Sequence, residues 1–203
     1  MSPCMTIDGQ DPALISDDVL VLRAASGDQL AFHQLYDRHK QRVFARLTRI
    51  LGASADREDV LQQVFLRLHR ALRRFRMESK FVTFLYRITS NVAIDHLRHR
   101  RRQVSAIERE GLDELVATLG DPVSRVHARQ QLGQLFAAFD QLRPKRRVAF
   151  VLVAVEGLSV EDAAQQLGTT TAAVRHRVAQ ARAQLTAVLA QHERGTRITW
   201  RSV

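Results

Sequence analysis

The chain is predicted to be all-α, with two helical units in tandem, and three features of its 203 residues carry that reading. Apolar residues recur at three- and four-residue spacing through most of its length, and no alternating stretch is long enough to support a sheet. Ser, Asp and Pro stand where helices should start, and Gly where they should stop. Finally, charge divides the chain: residues 26–102 hold 17 basic and 7 acidic side chains and 125–190 hold 9 and 4, whereas 103–124 hold 1 and 5. The expected organisation is a disordered N-terminus (1–17), a helical domain (18–102), a flexible linker (103–121), a second helical domain (122–190) and a tail (191–203) without a clear pattern.

Ser16 opens a short helix, DDVLVLRAA, which Gly27 stops. Asp28 begins a longer one, QLAFHQLYDRHKQRVFARLTRIL, with Phe32, Tyr36, Val43, Leu47 and Ile50 as its apolar stripe and Arg38, Lys40, Arg42, Arg46 and Arg49 mostly off it. After a break at Gly52–Ala55, Asp56, Glu58 and Asp59 supply the negative charge that the dipole of a third helix favours at its start. Leu61, Val64, Phe65, Leu68, Leu72 and Phe75 form its core face. The loop Arg74–Lys80 leads to a fourth helix, FVTFLYRITSNVAIDHLRHRRR, which buries Phe81, Leu85, Ile88 and Val92 and ends in a basic cluster.

Beyond the acidic stretch, Asp121-Pro122 is an N-cap and first helical residue for an element reaching Leu142, with Leu132, Leu135, Phe136 and Phe139 inward. Pro144 starts another, KRRVAFVLVAVEG, whose unbroken apolar run predicts burial on most sides. Then comes Gly157–Leu185, two helices across a tight turn. Ser159 with Asp162 makes a capping box, Gly168 ends the first helix, and Val174, Val178, Ala181, Leu185 and Val188 share one face of the second. Arg175 and His176 project from the opposite face, flanked by Arg177, Gln180 and Arg182, near the end that would enter a major groove. This is a helix-turn-helix candidate.

A net charge of +10 favours a polyanionic partner, nucleic acid or an anionic membrane surface. The single cysteine, Cys4, excludes an internal disulfide and a cysteine-rich zinc site and fits a reducing cytoplasm. No apolar run approaches the length of a membrane span, and MSPCMTIDGQDP lacks the pattern of a signal peptide. Membrane insertion is therefore not expected. No Gly-rich phosphate loop, nucleophile triad or metal-ligand constellation is present, so neither catalysis nor a cofactor is expected. Asp95, His96 and His99 are the nearest approach to a metal-dependent hydrolase, and no further ligand completes them.

In order, GDQLAFHQLYDRH, REDVLQQVFLRLHRALRRF, FVTFLYRITSNVAIDHLRHRRR and FDQLRPKRRVAFVLVAVEGLSVEDAAQQLGTTTAAVRHRVAQARAQL resemble a bacterial RNA polymerase sigma factor of the extracytoplasmic-function group. Its two domains are called sigma-two and sigma-four. The resemblance covers roughly residues 19–189. It implies core RNA polymerase (the β′ clamp helices and the β subunit), promoter DNA and an anti-sigma factor as partners.

The resemblance also assigns roles. Asp59, Gln62 and Phe65 would dock on the clamp helices, with Phe65 open to a core role as well. The segment Arg76, Met77, Glu78, Ser79 and Lys80, together with Asn91, would capture a flipped base of the minus-ten element. For Asn91 a buried structural amide is an equal alternative. Arg98, Arg101 and Arg102 belong to the same minus-ten surface; Thr170, Thr171, Arg175, His176, Arg177, Gln180 and Arg182 would read the minus-thirty-five element. In the family the acidic linker threads the RNA-exit path. Departures exist: Gln63 stands where an acid is usual, Phe84 where tryptophan is most frequent, and Ala172-Ala173-Val174 replaces a frequent Gly-Thr-Val. A rival reading is an autonomous helix-turn-helix regulator that binds palindromic DNA as a dimer; it gives the first domain no task.

Overall fold

The computed structural model describes residues 15–52, 54–102 and 136–199, without the side chains of Leu189 and 191–199. The described residues are helical and contain no strand. Helix α1 spans Asp17–Ala25, α2 Gln29–Leu51, α3 Arg57–Leu72 and α4 Phe81–Arg102. After a short helical stretch at 136–141 come α5 (Pro144–Phe150), which passes into a π-helical turn (Val151–Val155), then α6 (Val160–Leu167) and α7 (Thr171–Thr199). Of the expected disordered N-terminus, residues 1–14 lie outside the described residues, whereas Ser16 and Asp17 belong to the ordered start of α1; the 103–121 linker and the start of the helix predicted from Pro122 also lie outside them.

Caps set the helix starts. The hydroxyl of Ser16 accepts from the amide of Val19 at 3.4 Å and the carboxylate of Asp28 from that of Ala31 at 3.1 Å, each satisfying a donor the helix leaves open. Asp17 also ties α1 to α2, accepting from Arg38 at 3.1 Å and meeting Nε2 of the buried His39 at 2.8 Å. Asp56 flanks α3 without making a side-chain cap bond, while Glu58 and Asp59 occupy the first turn as expected.

Two expectations about burial require correction. Arg46, placed off the stripe of α2, is 5% exposed. The run after Pro144 is not buried on most sides: Val148, Ala149, Val151 and Leu152 are inside, whereas Val155 is 51% exposed. The π-helical turn keeps its first two residues, Val151 and Leu152, inside and leaves the last, Val155, facing solvent. The pattern of the tail gave no helix, yet α7 continues to Thr199. Gly195 is its only interior breaker, and one glycine costs a helix only about 1 kcal/mol.

The two units share a core. A single apolar cluster joins Leu20, Leu35, Leu47 and Leu85 of the first unit to Val151, Leu152, Ala163 and Val178 of the second, with α4 packed on α5 and α6. A smaller cluster closes α7 onto the 136–141 stretch through Phe139, Leu142, Ala181 and Leu185.

Candidate nucleic-acid interface

Helices α6 and α7 form the predicted helix-turn-helix. Ser159 accepts from the Asp162 amide at 3.0 Å, and Gly168 adopts the left-handed conformation (φ 57°) that lets the chain turn. The Thr170 hydroxyl accepts from the Ala173 amide at 3.2 Å, so this residue caps α7. Val174, Val178, Ala181, Leu185 and Val188 are buried. Arg175, His176 and Arg182 are exposed on the outer face; Thr171, Arg177 and Gln180 are half-buried. Arg175 is held only by a 3.4 Å contact with an equally exposed Glu161, a pairing worth little in water. Its guanidinium is available to fork onto a guanine edge.

A second surface lies on the first unit. The loop between α3 and α4 bends at Met77, whose φ of 54° is unusual for a residue other than glycine. Beside it opens a cavity of about 810 Å³ whose lining includes Arg67, Arg70, Arg74, Arg76 and Arg87, with Glu78 as the carboxylate. Its apolar side is formed by Phe75 and Phe84, stacked 4.4 Å apart at 28°. A flat apolar wall beneath a guanidinium rim suits an unstacked base and its phosphates. Arg76, Glu78 and Ser79 line this cavity; Met77 and Lys80 are exposed beside it. Sequence reasoning passed over Arg67, Arg70, Arg74 and Arg87, although Arg67 and Arg70 share the outer face of α3 and Arg74 follows at helical spacing just beyond its end.

Asn91 is exposed, which removes the buried-amide alternative. It lines a cleft of about 440 Å³ with Arg98, facing Thr169 and Arg177 of the second unit. Arg98, Arg101 and Arg102 line an adjoining cleft. On α3, Asp59 and Gln62 are exposed, and Leu66 beside them is 58% exposed. Phe65 is inside at 4% exposure, edge-on to Tyr36 with ring centroids 4.6 Å apart.

The buried polar contacts between the units were not foreseen. Arg46 grips Glu156 with two hydrogen bonds, Nε to Oε1 at 3.2 Å and Nη2 to Oε2 at 2.5 Å, and donates to Gln166 at 2.8 Å. Its guanidinium also lies 3.7 Å from the ring centroid of Tyr86. Arg147, 1% exposed, donates to the Ile50 carbonyl and, at 2.6 Å, to Asp140. Burial lowers the Arg147 pKa, and the hydrogen bond to Asp140 offsets part of that effect. Asp140 also accepts from Arg100 at 2.7 Å. Gln165 of α6 lines the arginine-rimmed cavity, so the second unit covers part of the first unit's candidate base site.

Asp95, His96 and His99 do not assemble into a site. Asp95 pairs with Arg67 at 2.9 Å and Arg98 at 3.6 Å, while His96 turns inward to within 3.4 Å of Asp56. Among the described residues no group of three His, Cys, Asp or Glu side chains is placed to hold a metal ion, and no helix is long and apolar enough to cross a membrane.

Residues 35–103 match the family described as Sigma-70 region 2, and residues 132–185 match Sigma-70, region 4. The RNA polymerase sigma factor NccH of Alcaligenes xylosoxydans xylosoxydans is 35% identical, over 88% of this chain and 96% of its own. The ECF RNA polymerase sigma-E factor of Escherichia coli K12 is 33% identical, over 83% of this chain and 91% of its own. Among solved structures, CnrH in complex with the cytosolic domain of CnrY matches at 31% identity with a TM-score of 0.58, over 86% of this chain and 97% of that one. The sigma factor RpoE from Bartonella quintana, solved with the anti-sigma factor NepR, matches in fold, at 23% identity and a TM-score of 0.55 over 78% of this chain and 96% of that one.

Proposed function

The chain belongs to the extracytoplasmic-function group of sigma-70 factors, and from that premise we propose that it binds core RNA polymerase in the cytoplasm and directs it to promoters by reading their minus-ten and minus-thirty-five elements. The exposed face of α3 at Asp59 and Gln62 docks on the β′ clamp helices. The arginine-rimmed cavity beside Arg76–Lys80, with Asn91, takes the flipped base, and Arg98, Arg101 and Arg102 hold neighbouring phosphates. Arg175 and His176 read base edges from the outer face of α7, flanked by Thr170, Thr171, Arg177, Gln180 and Arg182. Recognition of this kind requires no catalytic group. Phosphate contacts supply affinity that falls with salt, and base contacts supply sequence.

The observation that carries this reading is the mutual cover of the two nucleic-acid surfaces. Gln165 borders the minus-ten cavity, and Asn91 faces Arg177 across a cleft. A chain closed this way cannot place both surfaces on one promoter until the units part, a task assigned here to the polymerase. Because the family resemblance implies an anti-sigma factor and CnrH was solved with a protein partner, the cytosolic domain of CnrY, we assign this chain an anti-sigma partner as well.

The test compares pure protein with reconstituted holoenzyme on a promoter library at physiological salt. Promoter-specific initiation only with core polymerase is expected, together with weak, unspecific binding by the protein alone. Tight operator binding by the pure protein without polymerase would favour the autonomous regulator instead.

A further inference from the structure

Where the end of α4 meets the start of α5, a cleft of about 400 Å³ is lined by Arg98, Arg101, Arg102, Arg143, Pro144 and Lys145. Five of these six side chains are cationic and none is acidic. The first three share a face of α4, at i, i+3 and i+4. Arg143 and Lys145 come from the other unit, on either side of the proline that begins α5.

Nearby, the chain supplies carboxylates where cations are enclosed: Asp140 serves both Arg100 and the buried Arg147. Among the described residues, Arg98 alone in the cleft has such a partner, Asp95 at 3.6 Å, with both side chains about half exposed. Like charges from two bodies therefore face one another, and their repulsion opposes the closure that the shared core favours.

We propose that this cleft binds a compact oligophosphate anion, which bridges the two units and fastens the closed arrangement. Phosphate oxygens accept from guanidinium forks and from an ammonium group without a particular base or sugar. The lining has no aromatic side chain on which a nucleobase could stack, as single-strand sites do. In the closed arrangement the chemistry thus favours a bare phosphate chain over nucleic acid, whose phosphates the α4 arginines meet only once the units part. Because each unit contributes cations, the anion binds the closed state better than the open one and shifts the population towards it.

The probe is inorganic tripolyphosphate, titrated calorimetrically into the full chain at ionic strength fixed with chloride, with small-angle scattering to follow compaction. One saturable site per chain is expected. Arg101→Ala with Arg102→Ala, and separately Arg143→Ala with Lys145→Ala, should each weaken it by on the order of tenfold or more. Arg42→Ala, a cation removed from the exposed face of α2, should leave it unchanged. Circular dichroism checks that each variant is folded. Unsaturable uptake of several anions per chain, or an equal loss in Arg42→Ala, would overturn the site. An oligothymidylate that displaced tripolyphosphate at lower concentration would overturn the phosphate assignment in favour of nucleic acid.

Discussion

Glu156→Gln is the sharpest single perturbation of the closed arrangement. The carboxylate side chain is 8% exposed and Arg46 6%, so the pair is screened from solvent and removing its charge strands a buried guanidinium. Breaking such a pair from one side costs about 3 to 5 kcal/mol. The lower end applies, since Arg46 keeps Gln166 at 2.8 Å and the face of Tyr86 at 3.7 Å, and the new amide oxygen can still accept one bond. A loss of about 3 kcal/mol is roughly a hundredfold in the closing equilibrium. Small-angle scattering of the full chain should show a larger radius of gyration, and a dye pair on exposed positions of α3 and α7 should show lower transfer. Replacing both partners, Arg46→Met with Glu156→Leu, should restore much of the closure, because apolar groups of similar size can replace a buried pair at little cost. An unchanged distance distribution in Glu156→Gln, with only a lower melting temperature, would refute the assignment of this pair to closure.

Three further outcomes follow from named contacts. Gly52→Ala should destabilise the chain: the new Cβ would lie 2.7 Å from Phe136 Cδ1 at a φ of 75° and a ψ of −157°, and Phe136→Leu should relieve the steric part in thermal denaturation and leave the backbone strain of about 1 to 3 kcal/mol. Arg175→Ala or His176→Ala should alter base preference in transcription over a minus-thirty-five library, by about 1 to 3 kcal/mol of discrimination, whereas Arg101→Ala or Arg102→Ala should weaken all promoters alike and flatten the salt slope. His96 should make stability pH-dependent. Burial lowers its pKa below the ordinary histidine value, with Asp56 raising it and Arg100 and His99 lowering it. The unfolded chain then binds the proton more readily, so the stability is complete above the unfolded pKa and declines as the pH falls through it towards the folded one. Denaturation at pH 7.5 and 5.5 should show a smaller difference in His96→Gln.

Legibility in the sequence tracked the range of the interaction. Helix starts were readable because a cap and its target lie three residues apart, as at Ser16, Asp28 and Ser159. The exposed face of α7 followed from periodicity alone, since Val174 and Val178 had to point inward and left Arg175 and His176 outside. Arg46 was misplaced because charge was given more weight than position: it falls within the helical repeat of Val43, Leu47 and Ile50, and that spacing was a usable signal. Its partner Glu156 lies 110 residues away, beyond the reach of any pattern. Phe65 looked equally suited to core and contact because an aromatic on an amphipathic helix serves either. Its place in the shared apolar cluster, edge-on to Tyr36, puts it inside here.

The bond from Arg147 to the Ile50 carbonyl carries a consequence for synthesis. Helix α2 ends with carbonyls that its own turns cannot satisfy, and the side chain that answers the one at Ile50 is encoded 97 residues later. A nascent chain that has left the ribosome only as far as Arg102 holds all four helices of its first unit but lacks the Arg147 side chain that answers this carbonyl. Water must serve that carbonyl in the interim, and the apolar surface that α4 later gives to α5 and α6 stays wet. Vectorial folding of the first unit therefore yields a body whose final order waits on translation of the second. Pausing between these two stretches prolongs the interval in which that surface is open to chaperones, to proteases or to another nascent chain.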